Sequence, residues 1–194
     1  MKLSKGLIIF GVIGIVVLIL VAWVAGGYNS LIGQRNHVDN KLAALNSAYQ
    51  RRFDLVPQLV NVAQSAQIQE QKVYGDIADA RTRYAGATTP EAQAQAGGQL
   101  DSALGRLLAI VENYPQLSSN QTLQNLMVQL EGTENRVKVE RDNYSTAATS
   151  YNTSVQRFPT NLLAGMFGFS EKPLYQAQSG AENAPQVDLN TDGN

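Results

Sequence analysis

The chain has no cysteine, one histidine and one tryptophan in 194 residues. Without cysteine there is no disulfide framework, no thiolate nucleophile and no sulfur ligand for a structural zinc site. His37, standing alone, cannot build a multi-histidine metal centre, and it is the only imidazole a Ser-His-Asp triad could use. The glycine-rich pieces Gly26-Gly27, Gly97-Gly98 and GMFG (165–168) lack the strand-turn-helix setting of a phosphate loop. No segment alternates apolar and polar residues as a strand does. The expectation is a protein with no enzymatic activity, no cofactor, no metal and no small-molecule substrate.

Charge is absent from Leu7 to Ala25, 19 residues that are nearly all Leu, Ile, Val, Ala or Gly. At about 1.5 Å per residue, such a helix matches the ~30 Å hydrocarbon layer of a bilayer. A cleaved signal peptide has a shorter apolar region, about 7–15 residues, ending in a small-x-small site, which Ala22-Trp23-Val24-Ala25 matches poorly. Residues 1–27 are therefore read as a retained anchor with a transmembrane helix at about 7–25, and Trp23 and Tyr28 as interface aromatics. Gly11 and Gly14 miss the four-residue spacing of a GxxxG dimer motif. Lys2 and Lys5 before the span favour a cytoplasmic N-terminus, with the larger domain outside. Beyond residue 27, 13 Lys and Arg against 16 Asp and Glu leave a net of −3. A mildly acidic domain is a poor nucleic-acid ligand, because phosphate neutralisation needs clustered positive charge.

After Tyr28 the apolar positions keep helical time. Val38, Leu42, Leu45, Tyr49, Phe53, Val56, Val60 and Ala63 step by threes and fours, and Val73, Ile77, Ala80 and Tyr84 resume the rhythm. One long helix is expected from about 29 to 85. Gly86 ends it, Thr89 caps the next helix and Pro90 opens it. The second buries Ala96, Leu100, Leu104, Leu107, Val111 and Tyr114 and stops before Pro115; Ser119 or Asn120 then caps a long third. Leu123, Leu126, Leu130, Val137, Tyr144, Ala148, Tyr151, Val155 and Phe158 hold the period of that third helix until Pro159. The reading is all-α: one transmembrane helix followed by an antiparallel, four-helix-type bundle over 28–169, with long first and third helices. A polar tail at 170–194 is expected to be disordered.

Pro57 lies inside the first helix, in RRFDLVPQLV (51–60), where it removes the N–H that would reach the carbonyl of Phe53. A kink is expected there. The segments YNSLIGQRNHVDN (28–40), RRFDLVPQLV, LGRLLAIVENYP (104–115), LEGTENRVKVERDNY (130–144), YNTSVQRFPTNLLAGMFGF (151–169) and APQV (184–187) resemble, in order and spacing, the blocks of the LemA family. The likeness implies a bacterial protein anchored through one N-terminal helix, with a four-helix-bundle fold and no known catalysis. It also implies a short N-terminus outside the cytoplasm, opposite to the lysine count, so both topologies stay open.

Two sets of residues stand out as candidate sites. Arg51, Arg52 and Asp54 beside Pro57, with Glu134, Arg136 and Arg141 on the third helix, form a candidate ion-pair or recognition cluster, in which Glu134 is expected to pair with Arg51 or Arg52. Leu162, Leu163, Met166, Phe167 and Phe169 form a candidate apolar contact, either capping the bundle or meeting lipid or a partner. His37 is expected at the surface. The function these residues support is a single-span scaffold or adaptor at the bacterial inner membrane, acting on an unidentified protein partner or on further copies of itself. The alternative is lipid binding or membrane remodelling through 161–169.

Overall fold

The computed structural model describes residues 5–65, 71–114 and 120–175, and among them there are five helices and no strand. They are α1 (Lys5–Ser65), α2 (Gln71–Gly86), α3 (Pro90–Glu112), α4 (Gln121–Gln156) and α5 (Thr160–Phe167). The all-α bundle class expected from periodicity is what forms. The expected continuation of the first helix to 85 depends on residues 66–70, which lie outside the described residues, as do Ser119, the APQV block and the tail from 176.

The described residues fall into two compact units, one drawn from residues up to Leu59 and from Gln121 to Leu174, the other from those between Val60 and Asn120 with Tyr175. In the first, α1 and α4 run antiparallel, since Arg52 meets Glu134 while Tyr49, one turn earlier, meets Arg141, two turns later. The first part of α1 is long and apolar enough to cross a membrane, and none of it is buried. From Leu31 the helix acquires a buried stripe at Val38, Leu45, Tyr49, Phe53 and Val56, while Leu42 is half-buried. The helix passes through Pro57 without a break.

The second unit contains an antiparallel hairpin, α2 against α3, joined by an ion pair between Asp76 and Arg106 at 2.9 Å. Thr89 caps α3 as its sequence position predicts, its hydroxyl accepting from the Ala92 amide at 3.2 Å, with Pro90 at the first helical position. Tyr114, expected in the core, is exposed because α3 has ended two residues earlier.

Phe158, also expected in the core, is exposed: α4 stops at Gln156 and the phenylalanine falls in the turn leading to α5. Gly168 closes α5 in the left-handed conformation at φ 71°, which a residue without Cβ adopts freely, and the Gly168 and Phe169 amides both reach the Ala164 carbonyl. The expected start of a disordered tail at 170 needs correction for its first six residues. Asn152 grips Lys172 from both sides, donating to its carbonyl and accepting from its amide at 2.8 Å each, and Tyr144 donates to the Pro173 carbonyl at 2.7 Å. Lys172 also reaches Asp39 on α1 at 2.7 Å, so the strap fastens both helices.

Gly27 leaves room for α5 against α1, since a Cβ there would run into the end of the Leu163 side chain. Gly27→Val is expected to lower the stability of the full-length protein in detergent by about 1–3 kcal/mol, the usual cost of overpacking. Leu163→Ala in the same chain should recover part of the loss, read as Tm in a thermal melt.

Candidate functional site

The α1–α4 seam repeats every seven residues. On α1 the repeat runs Leu31, Val38, Leu45, Arg52, Leu59; on α4 it runs Leu123, Leu130, Val137, Tyr144, Tyr151 and Leu126, Thr133, Glu140, Ala147. Every one of these is buried, so Arg52, Thr133 and Glu140 occupy positions an apolar residue would normally take. Arg52 is 3% exposed and lies 3.6 Å from Glu134, whose side chain is 63% exposed. A long contact to a solvated carboxylate contributes little on its own, about 0–1 kcal/mol. The buried stem of Arg52 contributes instead through packing.

Glu140 is the residue the sequence reading passed over. Its buried carboxylate accepts from Arg136 at 2.7 Å and from Asn143 at 3.0 Å, which offsets the cost of removing a charge from water. The signal was available, because Glu140 falls three residues after Val137 and four before Tyr144, on the same seam. Arg141 donates to the Tyr49 hydroxyl at 3.1 Å, tying α4 to α1 one heptad from the Arg52 contact. Thr133 returns its hydroxyl to the Leu130 carbonyl at 2.7 Å.

The expected Arg/Glu cluster therefore divides. Arg52 is interior, Arg141 is half-buried, and Arg51, Asp54, Glu134 and Arg136 are exposed. Arg51 and Arg136 flank a groove of about 640 Å³ between α1 and α4, with Ala44, Ala48 and Gly132 as its shallow floor and Val128, 69% exposed, at one end. A second groove, of about 510 Å³, lies nearer the span and is lined by His37, Lys41, Thr146 and Ser150. Among the described residues no group of His, Asp or Glu is arranged to hold a metal ion.

At the membrane end, the apolar segment splits by face. Leu163, Ala164 and Phe169 are buried; Leu162, Met166 and Phe167 are exposed. Tyr28 on α1 meets both phenylalanines edge-on, at 4.9 Å to Phe167 and 5.7 Å to Phe169, and Arg35 stacks over Phe169 at 5.5 Å. Burial pushes the Tyr151 phenol above its ordinary range, against the lowering influence of Lys172 and Arg35.

A family model described as the LemA family matches residues 41–189. Similar proteins include magnetosome protein MamQ 2 of Paramagnetospirillum magneticum, 26% identical over 175 residues, covering 77% of this chain and 64% of that protein. Magnetosome protein MamQ of Magnetospirillum gryphiswaldense is 32% identical over 95 residues, covering 47% and 35%. Protein LemA of Metamycoplasma hominis is 22% identical over 167 residues, covering 86% and 74%. The chain spans a little under two thirds of the length of the first of these relatives. Together with the apolar start of α1, the matches make this a membrane-anchored helical protein.

Glu134→Ala should cost no more than about 1 kcal/mol of stability. Arg52→Ala should cost about 1–3 kcal/mol through lost packing. A denaturant titration in which the two variants lose equally would refute the division between an interior arginine and a solvated partner. For Tyr151, a phenol held above its ordinary pKa of about 10 in the folded state favours folding fully below that pH. The contribution is lost as pH rises through the folded value, so Tyr151→Phe should flatten the fall in Tm above about pH 10.

Proposed function

The chain belongs to the LemA family, and on that premise we propose that it is a single-span, non-catalytic scaffold at the bacterial inner membrane that holds a protein partner along the α1–α4 groove. The observation that carries this reading is the groove itself. Two arginines, Arg51 and Arg136, rim a floor of small residues, and exposed Val128 offers an apolar anchor beside them. Such a surface suits an acidic segment with an apolar side chain or two, because small floor residues let a backbone approach closely while the guanidinium groups pair with carboxylates. Arg51 rather than Arg52 is the recognition residue of the pair, since only the former reaches solvent. A kink at Pro57 would fall one to two turns beyond the groove, in a helix that runs on through it.

Lys2 and Lys5 support a cytoplasmic N-terminus with the helical domain on the other side. The magnetosome naming of two relatives is in keeping with a role in organising a membrane-associated assembly. The test is photocrosslinking from position 128 of the full-length protein in bacterial membranes, with adducts identified by mass spectrometry. One dominant protein adduct, reduced several-fold in Arg51→Glu, is the expected outcome. Adducts to lipid or to the chain itself alone, unchanged in that variant, would overturn the adaptor reading.

A further inference from the structure

The exposed face of α5 is continuous with the exposed face of the span. Phe167 lines an entirely apolar groove of about 410 Å³ together with Leu20, Val21, Val24, Ala25 and Tyr28. Leu20 to Ala25 are the last residues of the apolar run that ends before Tyr28-Asn29-Ser30, and at 1.5 Å per residue Leu7–Ala25 spans roughly the ~30 Å layer with no length to spare. Whatever surrounds Leu20 and Val21 therefore surrounds the Phe167 ring as well. Met166, 75% exposed, and Leu162 lie four residues apart on α5, and exposed Phe158 precedes them. Left in water, these side chains and the span end would form one apolar patch of a kind soluble surfaces avoid.

We propose that α5, with Phe158, lies in the bilayer interface against the last two turns of the span, and that a phospholipid acyl chain fills the groove beside Phe167. The occupant is lipid because the groove's far wall is the lipid-facing surface of the span. Its lining offers no polar partner for a peptide backbone, which would have to leave its N–H and C=O groups unsatisfied there. The buried face of α5 explains how the foot is held in place. Leu163 fits against Gly27, and Tyr28 and Arg35 hold Phe169. The helix thus fixes the depth at which the domain sits, in the manner of an interfacial amphipathic helix, and it does so joined to its own transmembrane anchor.

This inference rests on the span reading, and the experiment separates the two. Full-length protein is reconstituted at low protein-to-lipid ratio into vesicles of phosphatidylcholine and phosphatidylglycerol, with and without brominated phosphatidylcholine. The native Trp23 reports on the span: quenching by bromolipid is expected, and its absence would sink the anchor itself. Trp23→Phe then removes the only tryptophan, and Met166→Trp, Phe167→Trp or Val128→Trp is added one at a time. The tryptophans at 166 and 167 should be quenched by bromolipid and shielded several-fold from acrylamide relative to that at 128, which should be open to acrylamide and untouched by bromolipid. If Trp23 is quenched by bromolipid but position 166 behaves like position 128, α5 stands in water and the proposal fails. Shielding from acrylamide without bromolipid quenching would mean a protein occupant, and would equally overturn it.

Discussion

Everything in the first unit is arranged around one helix that changes its surroundings without changing its backbone. Inside a bilayer every N–H and C=O must find a partner within its own segment, and an unbroken helix meets that demand. α1 keeps the same hydrogen-bond ladder as it leaves the apolar run, so the only thing that alters along it is the distribution of side chains. Up to Val21 it is apolar on all sides; from Leu31 the buried residues narrow to a stripe with a seven-residue repeat. α4 brings a matching repeat from the opposite direction, α5 is fitted beside the end of the apolar run, and the strap fastens the two helices farther along, at Asp39.

The seam is not uniformly greasy, and its polar interruptions act on alignment more than on strength. A strict repeat of Leu and Val would pack nearly as well if one helix slid a full heptad past the other. Arg52 with Glu134, and Arg141 with Tyr49, are satisfied in one alignment only. Glu140 is different: its buried carboxylate is satisfied by Arg136 and Asn143 of the same helix, which offsets its desolvation without setting the alignment. Asn152 holds the strap by satisfying both backbone groups of Lys172, and the ion pair from the Lys172 side chain to Asp39 distinguishes that residue from its neighbours.

Periodicity made the helices and most of their buried positions legible, since 3.6-residue timing is a local property that tertiary contacts only reinforce. Thr89 and Pro90 were legible for the same reason, a cap being a matter of a few adjacent residues. What escaped was the difference between Arg51 and Arg52. Adjacent residues on a helix point about 100° apart, so one lies in the seam and its neighbour on the rim, and a cluster read as a unit conceals the split. Glu140 escaped because the charged cluster was drawn around Glu134, Arg136 and Arg141, although its own spacing from Val137 and Tyr144 put it within the stripe. The strap escaped for a different reason: 170–175 is polar and aperiodic, and its order comes from Asn152, Tyr144 and Asp39, residues that lie far away in the sequence.

An uninterrupted helix between anchor and domain also sets a distance. From Ala25 at the membrane boundary to Arg51 there are 26 residues, which at 1.5 Å each place the arginine rim about 39 Å out along the helix axis. The groove lined by His37 and Lys41 begins nearer, about 18–24 Å out by the same rise. Tilt of α1 shortens these heights, and an interfacial α5 limits how far α1 can tilt before Phe158 and Met166 leave the interface or their neighbours are dragged into hydrocarbon. A flexible linker would have allowed the grooves to sample every height below its contour length. With a helix in its place, the acidic partner proposed for the groove would have to present its segment some tens of ångströms from the bilayer, so reach as well as charge would decide what binds.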